Sequence, residues 1–127
     1  MFNGGTREVT KLPNDPSAVP AARRFVSQAV IHRGGHGPLL DKTQLLVTEL
    51  TTNAVVHADS PIRISVMPER DHVRVEVRDD DPCPLGRPKR PEPDAESGRG
   101  LWLVDALSSS WGVNGNERGK TVWFEVD

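Results

Sequence analysis

Glu49-Leu50-Thr51-Thr52-Asn53-Ala54-Val55-Val56-His57-Ala58 is the stretch on which the fold turns. It closes a run from about Leu39 to Ala58 that reads as one helix. Glu49, Asn53 and His57 stand four apart, so they form a line along one face. At roughly 100° per residue, Glu49 and Asn53 fall among Leu45, Leu46, Leu50 and Val56. Thr48, Thr51 and Thr52 share another sector with Val55 and are expected to face solvent. A carboxylate and an amide bordered by aliphatic residues need partners, because unpaired polar groups are costly to bury. Two readings follow from these residues alone: a solvated edge or local hydrogen-bonded pair, and a ligand site. In the second, the amide oxygen of Asn53 suits magnesium, which takes few protein oxygens and fills its shell with phosphate and water. Glu49, one turn earlier, suits a base that accepts a proton from an attacking hydroxyl or water. For His57, packing or a structural hydrogen bond stands beside ligand contact.

Before this helix, residues 1–5 read as a loose tail and Thr6 to Leu12 as a strand ended by Pro13. From Pro16 to about Arg33, Val19, Ala22, Phe25, Val26, Ala29 and Val30 recur at helical steps, and Gly34, Gly35 and Gly37 stop that helix. After it, Pro61 precedes a strand from Ile62 to Met67. Pro68 to Asp71 turns the chain, and Val73, Val75 and Val77 alternate with Arg74, Glu76 and Arg78 as a half-buried strand. Residues 80–97 hold Pro82, Pro84, Pro88, Pro91 and Pro93 and read as a mobile loop. Gly100 to Leu107 reads as a short helix, and Trp111 to Val113 and Thr121 to Val126 as two closing strands. This order predicts one α/β (α+β) domain over 1–127, a two-layer sandwich with helices on one face of a mixed sheet.

Bulk properties narrow the function. The chain has 127 residues, 35% hydrophobic and 27% charged, with a formal net charge of -2. No basic field invites nucleic acid or an anionic membrane. No apolar run approaches the ~20 residues that span a bilayer, and the polar start has no signal-peptide core. A lone cysteine, Cys83, allows neither an internal disulfide nor a cysteine metal cluster. A cytoplasmic location is expected.

Three further segments bear on a site. The alternating strand ends in Arg78-Asp79-Asp80-Asp81-Pro82, where Asp79 is either part of an acidic turn or an acceptor for the exocyclic amine of adenine. Gly98-Arg99-Gly100-Leu101 is either a loop-to-helix turn or a close backbone approach to phosphate at a helix N-terminus, with Arg99 adding charge. Thr121 in Gly119-Lys120-Thr121-Val122-Trp123-Phe124 is either a β-former or a hydroxyl bridging toward the adenine carboxylate. Trp102, Trp111 and Trp123 are expected in core or interface. Cys83 is expected to be incidental, and His32 and His36 lack metal-ligand spacing.

In this order the four segments resemble the histidine-kinase-like ATPase superfamily with its Bergerat ATP-binding fold, and within it the branch of anti-sigma-factor serine kinases. Residues 49–58 resemble the N-box. Val77-Arg78-Asp79 resembles the start of the first glycine box, Gly98-Arg99-Gly100-Leu101 the second, and Gly119-Lys120-Thr121-Val122-Trp123 the closing Gly-x-Thr-Val strand. The resemblance runs from about Leu12 to Val126. It implies that Asn53 holds the magnesium bridging the ATP phosphates and that Glu49 is the general base. It implies that Asp79, supported by Thr121, binds adenine, that Gly98, Arg99, Gly100 and Leu101 meet phosphate, and that residues 80–97 are the ATP lid. One departure is plain: the family's Asp-x-Gly-x-Gly has Asp81 and Cys83 at its glycine positions here, beside Pro82 and Pro84. That loop is stiffer and more negative. The sequence carries no phosphoacceptor-histidine helical domain, so a complete sensor histidine kinase is not expected.

The resemblance implies two functions. One is an Mg-ATP-dependent serine/threonine kinase acting on an anti-sigma-factor antagonist in bacterial transcription control. The other is a non-catalytic ATP-binding module that sequesters a sigma factor or another regulatory protein. An α/β domain without nucleotide is the third reading. The family also suggests the first strand and helix as elements of a homodimer interface.

Overall fold

The computed structural model describes residues 6–81 and 99–127, with backbone alone at 99–101. The tail at 1–5 and most of the expected lid lie outside the described residues. The elements run β1 (Glu8–Leu12), α1 (Ala18–His32), α2 (Gly37–His57), β2 (Ile62–Pro68), β3 (Val73–Asp79), α3 (Arg99–Leu107), β4 (Ser110–Asn116) and β5 (Gly119–Val126). Each expected helix and strand is present. The bounds differ by a few residues; β4 and β5 grow most, because their pairing extends almost to the turn between them.

The five strands are ordered β1-β2-β3-β5-β4. Every pairing is antiparallel, so the sheet is antiparallel throughout rather than mixed. The physical reason lies in the connections. Short returns join β2 to β3 and β4 to β5, and such returns suit only antiparallel neighbours. The helix pair α1–α2 brings β2 back beside β1, and α3 with β4 delivers β5 beside β3 from the far edge.

Alternation assigns the two faces. Val73, Val75 and Val77 of β3 are buried and match Ile64 and Val66 of β2 on one side and Val122, Phe124 and Val126 of β5 on the other. These apolar residues meet Val26 and Val30 of α1 and Leu46, Val47 and Leu50 of α2 in one core. Covering only one face of the sheet produces the two-layer sandwich. The α1 helix stops where the N–H groups of Arg33, Gly34 and Gly35 turn back onto the carbonyls of its last turn.

The uncovered face carries a cluster of ion pairs around Arg74. Arg74 donates to Glu76 at 3.0 Å and to Glu125 at 2.7 Å, and its guanidinium lies 4.2 Å from the centre of the Trp123 ring. Burial works against its charge, but the hydrogen bonds to Glu125 and Glu76 outweigh it and hold its pKa above the ordinary guanidinium value. Arg7 reaches across from the edge strand to Ser65 at 2.9 Å.

One expectation about side chains needs correction and another is narrowed. Thr51 does not face solvent: it is fully buried, and its hydroxyl has no hydrogen-bond partner among the described residues. At about 100° per residue it falls beside Val47 and Ala54, within the packed sector, whereas Thr48 and Thr52 fall outside it. Of the two places expected for the tryptophans, core or interface, Trp102 is not in the core, being 58% exposed on α3, while Trp111 is buried and donates its indole N–H to Asp105.

Candidate functional site

The end of α2, the end of β3 and the start of β5 are tied together by a chain of hydrogen bonds. A helix leaves its last carbonyls without intrahelical partners. Here Asn14, in the loop after β1, donates its amide to Ala58 O at 2.9 Å, Ser60 O at 2.8 Å and Ala54 O at 3.5 Å. Beyond the helix, Ser60 Oγ accepts the N–H of Asp80 at 2.7 Å, and the N–H of Asp59 donates to Asp81 Oδ1 at 3.4 Å. The last turns of α2, which carry Asn53 and His57, are thereby held at the end of the sheet where Asp79 lies.

Asp79 is the last residue of β3 and stays in phase with Val73, Val75 and Val77, so its carboxylate belongs to the face covered by the helices. Its side chain is only 4% exposed. A buried carboxylate requires partners, and it has two. The N–H of Asp81 donates to Oδ1 at 2.9 Å, and Lys120 Nζ lies 3.0 Å from Oδ1 and 3.0 Å from Oδ2. Lys120 is opposite Asp79 in the β3–β5 register, which explains how they meet.

Thr121 is one position further along and pairs with Arg78. In a pleated strand that puts it on the other face of the sheet, where its hydroxyl accepts from Arg78 at 3.4 Å. The hydroxyl does not bridge to Asp79; Lys120 holds that place. The Gly-x-Thr motif points to the threonine. The period-2 phase of β5, with Val122, Phe124 and Val126 facing inward, is the signal in the sequence that position 120 and not 121 faces the helices.

Gly119 supports this arrangement. Its φ is +151°, and a Cβ there would stand 2.3 Å from the carbonyl oxygen of Asp79. Only glycine lets β5 start this close to the end of β3.

On α2, Glu49 and Asn53 are half-buried one turn apart, and His57 is exposed at the helix end. None of the three makes a side-chain hydrogen bond or ion pair to another described residue. Asn53 therefore keeps its amide oxygen available, which fits the needs of a hydrated cation. Among the described residues no group of three or more His, Cys, Asp or Glu is gathered for a metal.

Arg99 begins α3, which packs on α2 and β4. Gly98 lies outside the described residues, and so do the side chains of Arg99 and Leu101. Two cavities elsewhere, about 370 Å³ beside Arg23 and Thr48 and about 230 Å³ beside Phe25 and His32, include none of the candidate residues.

Residues 12–126 match the sequence pattern of a family described as the histidine kinase-like ATPase domain. The chain belongs to this family. The fold of this ATPase domain is similar to the crystal structure of the RsbU and RsbW domains of Rv1364c from Mycobacterium tuberculosis, with a TM-score of 0.72 and 16% identity. The match covers 95% of the ATPase domain and 32% of that chain, so it spans about a third of the neighbour's length. At that identity the likeness is one of fold. No curated protein sequence matches the ATPase domain. No helix among its described residues is long and apolar enough to cross a membrane.

Proposed function

We propose that this ATPase domain binds Mg-ATP where α2, β3 and β5 meet, and transfers the terminal phosphoryl group to a serine or threonine of a regulatory protein partner. The observation that carries the reading is the buried Asp79 carboxylate at the end of β3, tied by Asn14 and Ser60 to the helix bearing Glu49 and Asn53. Membership of an ATPase-domain family supports ATP as the ligand. The sequence resemblance to anti-sigma-factor serine kinases, together with a fold shared with a protein containing an RsbW domain, supports an anti-sigma-factor antagonist or a sigma factor as partner, and so a role in transcription control.

In this reading Asp79 accepts the adenine amine and Asn53 offers an oxygen to magnesium. When bound, the metal neutralises charge on the phosphates. Glu49 takes the proton of the attacking hydroxyl as that oxygen bonds to the γ-phosphorus and ADP leaves. The protein's part is chiefly to position groups and balance charge. Phosphate would be met at the start of α3 by Gly98, Arg99, Gly100 and Leu101. The test is incubation with γ-labelled ATP and a cognate antagonist. Label on a serine or threonine of the partner supports the kinase; bound ATP with no transfer contradicts it.

A second reading, ATP as a switching ligand without turnover, is favoured by Asp81 where the family has glycine and by the hydrogen bonds that Asp81 makes to Asp59 and Asp79. It expects partner capture that depends on ATP and is lost in Asn53→Ala, with no ADP formed.

A further inference from the structure

The carboxylate assigned to adenine is not alone in its pocket. An ionised carboxylate offers about four lone-pair sites. In Asp79, Oδ1 accepts from the N–H of Asp81 and from Lys120, and Oδ2 accepts from Lys120. One site, on Oδ2, remains for an incoming amine. The Lys120 ammonium has three N–H donors. Two are directed at Asp79, which is its one side-chain partner among the described residues. Its side chain is 28% exposed against 4% for Asp79, so the cation borders open space while the carboxylate lies behind it. An acceptor and a donor thus stand side by side at one end of the sheet. Adenine presents the complementary pair, with the 6-amino group as donor beside the ring nitrogen N1 as acceptor.

We propose that Lys120 is a base-reading residue that donates to adenine N1 while Asp79 accepts the 6-amino group. This rests on the reading of the pocket as an ATP site and adds to it a second, charged contact. Thr121, on the far side of the sheet, takes no part in it. The arrangement also leaves Asp79 paired whether or not a nucleotide is present, because Lys120 can hold the carboxylate with two donors and direct the third at the base.

The experiment is calorimetric titration of the protein and of Lys120→Met with Mg-ATP and with Mg-1-deaza-ATP, which lacks the N1 acceptor. The protein is expected to prefer ATP by about tenfold or more, the scale of one charge-assisted hydrogen bond. Lys120→Met is expected to lose about that factor for ATP and to bind the two nucleotides alike. In the unaltered protein, the Lys120 ammonium resonance in nitrogen-15 spectra should shift with ATP and not with the 1-deaza compound, a readout independent of whether the variant folds. If Lys120→Met binds ATP as tightly as the parent or more tightly, or keeps the preference over 1-deaza-ATP, the lysine contact is overturned while the ATP site stands. If the unaltered protein binds neither nucleotide, the functional reading itself fails, and the contact with it.

Discussion

Lys120 Nζ stands 3.0 Å from each carboxylate oxygen of Asp79, across two strands whose register sets the residues face to face. Breaking a fully buried ion pair from one side costs about 3–5 kcal/mol. Here Lys120 can swing toward water when its partner is removed, so the loss should be smaller. Asp79→Asn should lower stability by about 1–3 kcal/mol in urea denaturation. It should also weaken ATP binding by about tenfold or more, because an amide has one acceptor oxygen where the carboxylate has two.

Glu49 is half-buried and makes no ion pair among the described residues, so its substitution should leave the fold intact. Glu49→Gln should bind ATP nearly as the parent does. Its rate of phosphoryl transfer should fall by about a hundredfold or more, the scale of a positioned general base. Single-turnover assays with labelled ATP separate the two effects; equal transfer rates would remove Glu49 from the chemistry.

Asn53 should matter through magnesium. Titrations with and without the metal should show that the gain in ATP affinity supplied by magnesium is lost in Asn53→Ala, while metal-free binding is retained. A variant with the full magnesium effect would release Asn53 from that role.

Asn14 lies far from the proposed ligands in sequence, yet its amide serves carbonyls in the last turn of α2 and in the segment that follows it. Asn14→Ala takes the donor from Ala58 O and Ser60 O, while Ala54 O keeps the N–H of Ala58, at a cost of about 1–3 kcal/mol. Thermal unfolding reads the loss, and ATP affinity should fall with it because the helix end is no longer fixed to the end of β3.

Gly119→Ala should be as damaging from the other side. The added methyl would collide with the carbonyl of Asp79 and with Asp80 Cα, at 2.3 and 3.0 Å, from a φ of +151°. A loss above about 2 kcal/mol is expected, with displacement of Asp79 visible as weaker nucleotide binding even where the protein remains folded.

The helices and strands were legible because one periodicity dominates each. Val73, Val75 and Val77 could hardly be anything but a strand with one dry face, and the repeat in residues 16–33 is amphipathic along its length. The direction of pairing was legible only where a short turn joins β2 to β3 and β4 to β5; for β1 beside β2 and β3 beside β5, which are distant in the chain, alternation does not say which way the neighbour runs. On α2 the pattern failed at Thr51: a threonine counts as polar in any reading, but its size suits the packed sector, and its burial follows from angle alone. In the site, Asp79 announced itself as a carboxylate ending a buried alternation. Lys120 did not, because a lysine reads as surface until register shows what lies opposite. Asn14 was silent for the same reason: its partners stand 40 or more residues away.

One nucleotide site built from Asp79, Asn53 and the start of α3 underlies every prediction above. Calorimetric titration of the protein with ATP and magnesium tests it most directly. Saturable binding of one ATP per chain is expected, weakened by Asp79→Asn and by omission of magnesium. No saturable heat up to millimolar ATP, with the protein folded, would contradict it.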